Sequence, residues 1–183
     1  RLSAAVASQA VTRRIDARGV DYRRRRPIDA PLCTGIRAVD SLLTCGEGQR
    51  VGIFAGAGAG KTTLAEMLLE NADVDVSVVA LVGERGREVA ALVERLRHSP
   101  RAARTVIVQA TSDTAPALRS QAPLIATTIA EHFRDQGLRV LLVMDSVTRY
   151  ARALRELALG AGEPPARRGF PASAFEALPR LLE

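Results

Sequence analysis

The 183-residue chain is 47% hydrophobic and 25% charged, which suits one folded domain and excludes an intrinsically disordered chain. No apolar run reaches the roughly 20 residues that a membrane-spanning helix needs. The net charge of +6 belongs to the leading segment, because residues 1–26 carry eight arginines against two aspartates while the remainder holds 18 basic and 18 acidic groups. That leader reads as a solvated linker with no assignable fold. Arg23 to Arg26 have only Tyr22 nearby for base stacking, and 3% aromatic content disfavours a nucleic-acid surface. Cys33 and Cys45 lack metal-ligand spacing and read as inert thiols of a reducing compartment.

After the leader, Cys33 to Leu43 has an amphipathic pattern (Ile36, Val39, Leu42, Leu43) that predicts a short helix, and Gly46-Glu-Gly48 predicts a turn. The apolar run Val51 to Ala55 reads as a buried strand. It leads into Gly56-Ala-Gly-Ala-Gly-Lys-Thr-Thr63, where Lys61-Thr62 opens a helix with Leu64, Met67 and Leu68 as its inward stripe. Val76 to Val82 is a second buried strand, ending in Gly83-Glu-Arg-Gly86. The next helix places Val89, Leu92, Val93 and Leu96 at i, i+3, i+4 and i+7 and stops at Ser99-Pro100.

A third strand, Thr105 to Ala110, precedes a helical region from near Pro116 that Pro123 should break or kink, with Gly137 as its end. A fourth strand, Arg139 to Met144, delivers Asp145. The helix from Val147 to Leu159 follows, then a Gly/Pro/Arg loop from Gly160 to Pro171 and a last apolar helix from near Ser173. Near-continuous apolar strands alternating with helices predict an α/β fold whose mostly parallel sheet is covered on both faces. In such folds ligands bind at the carboxyl ends of the strands.

Those strand ends carry polar groups. Glycines at 56, 58 and 60 let the backbone curl round an anion with its N–H groups inward, and the helix N-terminus adds partial positive charge. The loop residues Gly56, Ala57, Gly58, Ala59, Gly60, Lys61, Thr62 and Thr63 therefore read as a phosphate-binding loop, with Ala55 at a position usually held by glycine. Lys61 can reach the β- and γ-phosphates, and the Thr62 hydroxyl can ligate Mg²⁺. Asp145 is the single carboxylate that a second Mg²⁺ contact needs, through a water; a helix N-cap would look the same in isolation. Glu84 can orient and polarise an attacking water, and Arg85 can stabilise charge on a transferred phosphoryl group, or the two can form a polar turn. Arg149, one helical turn beyond Asp145, faces either the same phosphates or solvent. His98 and His132 have no partners at catalytic spacing.

Six segments together resemble the export ATPases of bacterial type III secretion and flagellar assembly, over about Arg26 to Glu183. They are Thr34 to Arg50, Ala55 to Thr62, Gly83 to Val89, Ala130 to Gly137, Met144 to Ala153 and Gly162 to Pro171. Four of the segments are shared in part with catalytic subunits of rotary ATP synthases. The resemblance implies a RecA-like P-loop NTPase, with residues 27–183 the N-terminal part of the ATPase domain and an incomplete core. It implies ATP and Mg²⁺ as cofactors, and Lys61, Glu84 and Arg85 as catalytic residues with Arg149 at the phosphates. It further implies a homohexamer at the cytoplasmic base of an export apparatus, peripheral to the inner membrane. Stalk and regulator proteins and chaperone–substrate complexes are the implied partners.

Two further expectations follow from the resemblance. The family's β-barrel is not matched by the leader, and a strand expected between the phosphate-loop strand and the Asp145 strand is not in the chain, which predicts a marginally stable fragment with little turnover. Two alternatives share the loop chemistry: an RNA-translocating hexamer of the transcription-terminator type, and a nucleotide-binding module without turnover.

Overall fold

The computed structural model describes residues 12–15, 23, 25–56 and 58–182. Most of the leader's assignment as a linker lies outside the described residues, though Arg13 donates to Asp135 at 2.7 Å. The body begins with β1 (Pro31–Leu32), α1 (Arg37–Leu42) and β2 (Cys45–Gly46), β1 and β2 forming a two-residue antiparallel pair. Then come α2 (Lys61–Asn71), β3 (Val76–Val82), α3 (Gly86–His98), β4 (Thr105–Ala110), α4 (Pro116–Asp135), β5 (Val140–Asp145), α5 (Val147–Gly160) and α6 (Ala172–Leu182).

The sheet runs β4-β3-β5 with both pairings parallel. Side chains of a strand alternate between faces, and β3 shows what that does to the core. Val78, Ala80 and Val82 pack on one face with Ala122, Ala126 and Ala130 of α4, Tyr150 of α5 and Leu181 of α6. Val79 and Leu81 pack on the other with Leu69 of α2 and Val89, Leu92 and Leu96 of α3. Continuous apolar strands are thus explained by two covered faces.

Four sequence expectations are corrected. Residues 51–56 form no strand, and Phe54 is 96% exposed with Val51 and Ile53 exposed beside it. A strand needs a hydrogen-bonded neighbour, and among the described residues none runs beside this segment, so its apolar composition has nothing to pair with. The inward residue of α2 is Leu69, while Met67 is exposed and Leu64 and Leu68 are half-buried. In α1, Leu42 is 81% exposed and Leu43 is also exposed; only Ile36, just before the helix, is buried.

The break expected at Pro123 does not occur, since α4 is helical on both sides of it. One helical hydrogen bond is lost at a proline, but Pro123 is buried between Ala122 and Ala126, and that packing holds the helix together. Gly137 does end the segment, at φ +85° with its N–H on the Arg134 carbonyl.

Candidate active site

The glycine loop meets the demands of an anion cradle. Gly58 and Gly60 sit at φ +78° and +86°, in the left-handed region that favours glycine, and Gly60 immediately precedes α2. The Ala59 N–H reaches the Gly56 carbonyl at 3.3 Å, closing the turn. A Cβ built on Gly56, Gly58 or Gly60 would meet nothing within 4 Å, so the loop wraps open space rather than neighbouring protein. Thr62 and Thr63 are exposed at the helix start, and Ala57 lies outside the described residues.

Two carboxylates and two cations converge next to this loop. Lys61 Nζ donates to Asp145 Oδ1, joining the start of α2 to the end of β5. Arg149 Nη2 lies 3.6 Å from Glu84 Oε2, an ion pair too long to be a hydrogen bond. The carboxylates sit deeper than the cations: side-chain exposure is 15% for Asp145 and 16% for Glu84, against 36% for both Lys61 and Arg149. Burial pushes the Glu84 carboxyl above its ordinary range, against the pull of Arg149 and Lys61 and with Asp145 and Glu88 adding to the rise. A carboxyl tuned upward in this way is a better proton acceptor at neutral pH than an ordinary glutamate.

Backbone anchors hold Glu84 in place. The Gly83 N–H donates to the Ala110 carbonyl at 2.7 Å, and the Ser112 N–H donates to the Glu84 carbonyl at 2.9 Å, so the turn after β3 is tied to the end of β4. Gly83 has φ +67°, and a Cβ there would lie 3.0 Å from the Arg149 Cβ. The missing side chain is what lets α5 bring Arg149 over the strand end. This role of Gly83 is not evident from the sequence, where its one signal is a glycine between an apolar strand and the candidate glutamate.

The structure does not bring Arg85 to the cluster. Arg85 is the N-cap residue of α3, its side chain is 65% exposed, and its guanidinium lies 3.8 Å from Glu88. Glu84 and Arg85 are successive residues leaving a strand, and the chain turns one inward and the other outward.

Thr62 and Asp145 both border a gap of about 10 Å³ under α2, walled mainly by Ala65, Leu69, Val79, Leu81, Leu92 and Val143. The gap is too small and apolar to hold a metal ion itself and only brings the two side chains to the same end of the sheet. One hydroxyl and one carboxylate are the hard oxygen donors that Mg²⁺ accepts while keeping waters and phosphate oxygens as its other ligands. Among the described residues no group of three or more His, Cys, Asp or Glu forms a cage for a metal ion. A wide groove between the C-terminal ends of α2 and α3 (Glu70, Glu94, His98, Arg101) lies at the opposite ends of those helices from the loop and gathers no strand end.

Residues 35–183 match the profile of the ATP synthase alpha/beta family, nucleotide-binding domain. The chain belongs to that family. Among its relatives, the SPI-1 type 3 secretion system ATPase of Salmonella typhi is 55% identical over 183 residues, covering all of this chain and 42% of that protein. The flagellum-specific ATP synthase of Agrobacterium fabrum is 52% identical, over 97% of this chain and 37% of its own length.

In three dimensions the chain is similar to the assembled ATPase EscN of enteropathogenic E. coli, with a TM-score of 0.86 and 52% identity, over 93% of this chain and 41% of that one. EscN in complex with its central stalk EscO superposes equally well, at 0.86 and 52%, over 93% of this chain and 42% of that one. The chain thus spans about two fifths of these relatives. The parallel sheet, the helices on both faces and the glycine loop make it part of a P-loop NTPase domain. The relatives are type 3 secretion system ATPases and a flagellum-specific ATP synthase, and they do not support the RNA-translocating or non-hydrolytic alternatives.

Proposed function

We propose that this chain is the nucleotide-binding part of an ATPase that powers bacterial type III protein export, of the virulence or flagellar kind. The observation that carries the reading is the convergence of Lys61, Asp145, Glu84 and Arg149 beside an open glycine loop, at the carboxyl ends of β3 and β5. Backbone N–H groups of the glycine loop and the start of α2 cradle the phosphates of ATP, and Lys61 reaches the β- and γ-oxygens. Thr62 and Asp145 are the residues that would hold Mg²⁺, which would supply neutralisation of charge on the phosphoryl oxygens. Glu84 orients the attacking water and draws its proton, while Arg149 contacts the γ-phosphate.

Arg85, turned outward beside Glu88, is not part of this arrangement. The intact protein is a homohexamer in this reading, cytoplasmic and peripheral to an inner-membrane export apparatus. Stalk and regulator proteins and chaperone–substrate complexes are its partners, and the solved EscN–EscO assembly supports the stalk by likeness. Among the described residues no helix is long and apolar enough to cross a membrane.

Lys61→Ala in the intact protein tests the reading. Mg²⁺-dependent ATP hydrolysis and export of a secreted reporter should both be lost in bacteria carrying it. Export at the wild-type level with hydrolysis intact would overturn it.

A further inference from the structure

Away from the charges beside the glycine loop, one arginine joins two helices to the turn that carries Glu84. Arg119 stands in the first turn of α4, with its side chain only 13% exposed. Its Nη1 and Nη2 donate to the two carboxylate oxygens of Glu156 on α5, at 3.4 and 2.5 Å. Its Nε donates to the Thr114 carbonyl at 2.9 Å. A guanidinium can make all three contacts at once because its donors lie in one rigid plane.

From Thr114 the contacts continue to the site. Thr114 is tied to Thr111 by its N–H on the Thr111 carbonyl at 3.0 Å and by the paired hydroxyls at 3.1 Å. The neighbouring Ser112 donates its N–H to the Glu84 carbonyl at 2.9 Å. Glu84 in turn faces Arg149, which stands two helical turns before Glu156 on the same side of α5. The path therefore closes on itself. Helix α5 meets Glu84 directly through Arg149, and a second time through Glu156, Arg119 and residues 111–114.

We propose that Arg119 is a positioning residue for Glu84: seated on Glu156, it clamps residues 111–114 and so fixes the backbone from which the Glu84 side chain projects. The role belongs to the ATPase reaction proposed above and rests on that reading. The hydrogen bonds of Arg119 go to Thr114 and Glu156 rather than to the glycine loop, so its loss acts on turnover and not on nucleotide binding.

The test is ATP hydrolysis and AMP-PNP binding by the intact protein carrying Arg119→Lys. Lysine keeps a charge opposite Glu156, but a single ammonium cannot reproduce the fork that also holds the Thr114 carbonyl. Turnover should fall about tenfold, with the KM for ATP and the affinity for AMP-PNP within about twofold of wild type. Thr114→Val removes only the hydroxyl contact and should lower turnover by a smaller factor, which tests the idea even if the lysine variant does not fold. Asp73→Asn breaks a comparable pair with Arg139 at the opposite ends of β3 and β5 and should leave turnover unchanged.

A Glu84→Gln background separates positioning from general loosening. A residue that acts through Glu84 has nothing left to position there, so adding Arg119→Lys should cost less than about twofold. Unchanged turnover in Arg119→Lys, an equal loss in Asp73→Asn, or the same loss in both backgrounds would overturn the positioning role while leaving the ATPase reading intact. Hydrolysis by Glu84→Gln at nearly the wild-type rate would overturn the reading of Glu84, and the role of Arg119 with it.

Discussion

Gly83→Ala is the perturbation whose cost the geometry specifies most closely. Two penalties act at once. A non-glycine residue held at φ +67° costs about 1–2 kcal/mol from its own backbone. The added methyl would also lie 3.0 Å from the Arg149 Cβ and 3.4 Å from its Cγ and Cδ, so α5 or the arginine must give by a few tenths of an ångström. Overpacking of that kind costs about 1–3 kcal/mol.

Gly137→Ala is the internal control, because its φ is +85° and its Cβ would meet nothing within 4 Å. It pays the backbone penalty alone. Urea denaturation of the chain should therefore find Gly83→Ala less stable than Gly137→Ala by at least about 1 kcal/mol. The displaced guanidinium should also loosen its pairing with Glu84, so only the Gly83 variant lowers ATP turnover in the intact protein. Equal destabilisation by the two substitutions, with turnover untouched in both, would refute the argument that Gly83 exists to admit Arg149.

Other outcomes follow from burial and charge. Because burial raises the Glu84 pKa, the folded chain binds more protons than the unfolded one between the ordinary glutamate value and the raised one. Stability due to this group therefore falls as pH rises through that window, and Glu84→Gln should gain on wild type over the same range in pH-dependent urea titrations. Ala126 is fully buried between α4 and β3, so Ala126→Leu should cost about 1–3 kcal/mol by overpacking, read from the same denaturation curves. Ile36→Ala should cost about 2–3 kcal/mol while Leu42→Ala, at a site 81% exposed, changes stability by less than about 0.5 kcal/mol.

What was legible in the chain depended on whether a residue's fate is set locally or by a partner. Val76 to Val82 was readable as a buried strand because both faces of the sheet are covered there and nearly every side chain must be apolar. Thr105 to Ala110 was readable as a strand, though at the outer position of β4 most of its residues are half-buried and Gln109 is exposed. The α3 stripe was readable because Val89, Leu92 and Leu96 share one helical face. Residues 51–55 have the same apolar character as β3, yet composition cannot supply the neighbouring strand that a ladder requires. Pro123 was misread for a related reason: the penalty is local, while the packing against β3 that offsets it is not.

At the site, the loop, Glu84 and Asp145 were placed by the rule that ligands gather at strand ends. The direct Lys61–Asp145 contact was missed because it joins residues 84 apart, and so was the role of Gly83, which depends on Arg149 across the sheet end. Arg85 was drawn inward by its neighbour in sequence, whereas the cap of α3 turns it out.

In the proposed mechanism Glu84 activates water at a site that binds nucleotide by other means. Single-turnover hydrolysis and AMP-PNP binding by the intact protein carrying Glu84→Gln test it most directly. Mg²⁺-dependent binding should persist while hydrolysis falls by about 10²–10⁴-fold, the range for losing a general base. Hydrolysis within a few-fold of wild type, or loss of binding in step with loss of hydrolysis, would contradict it.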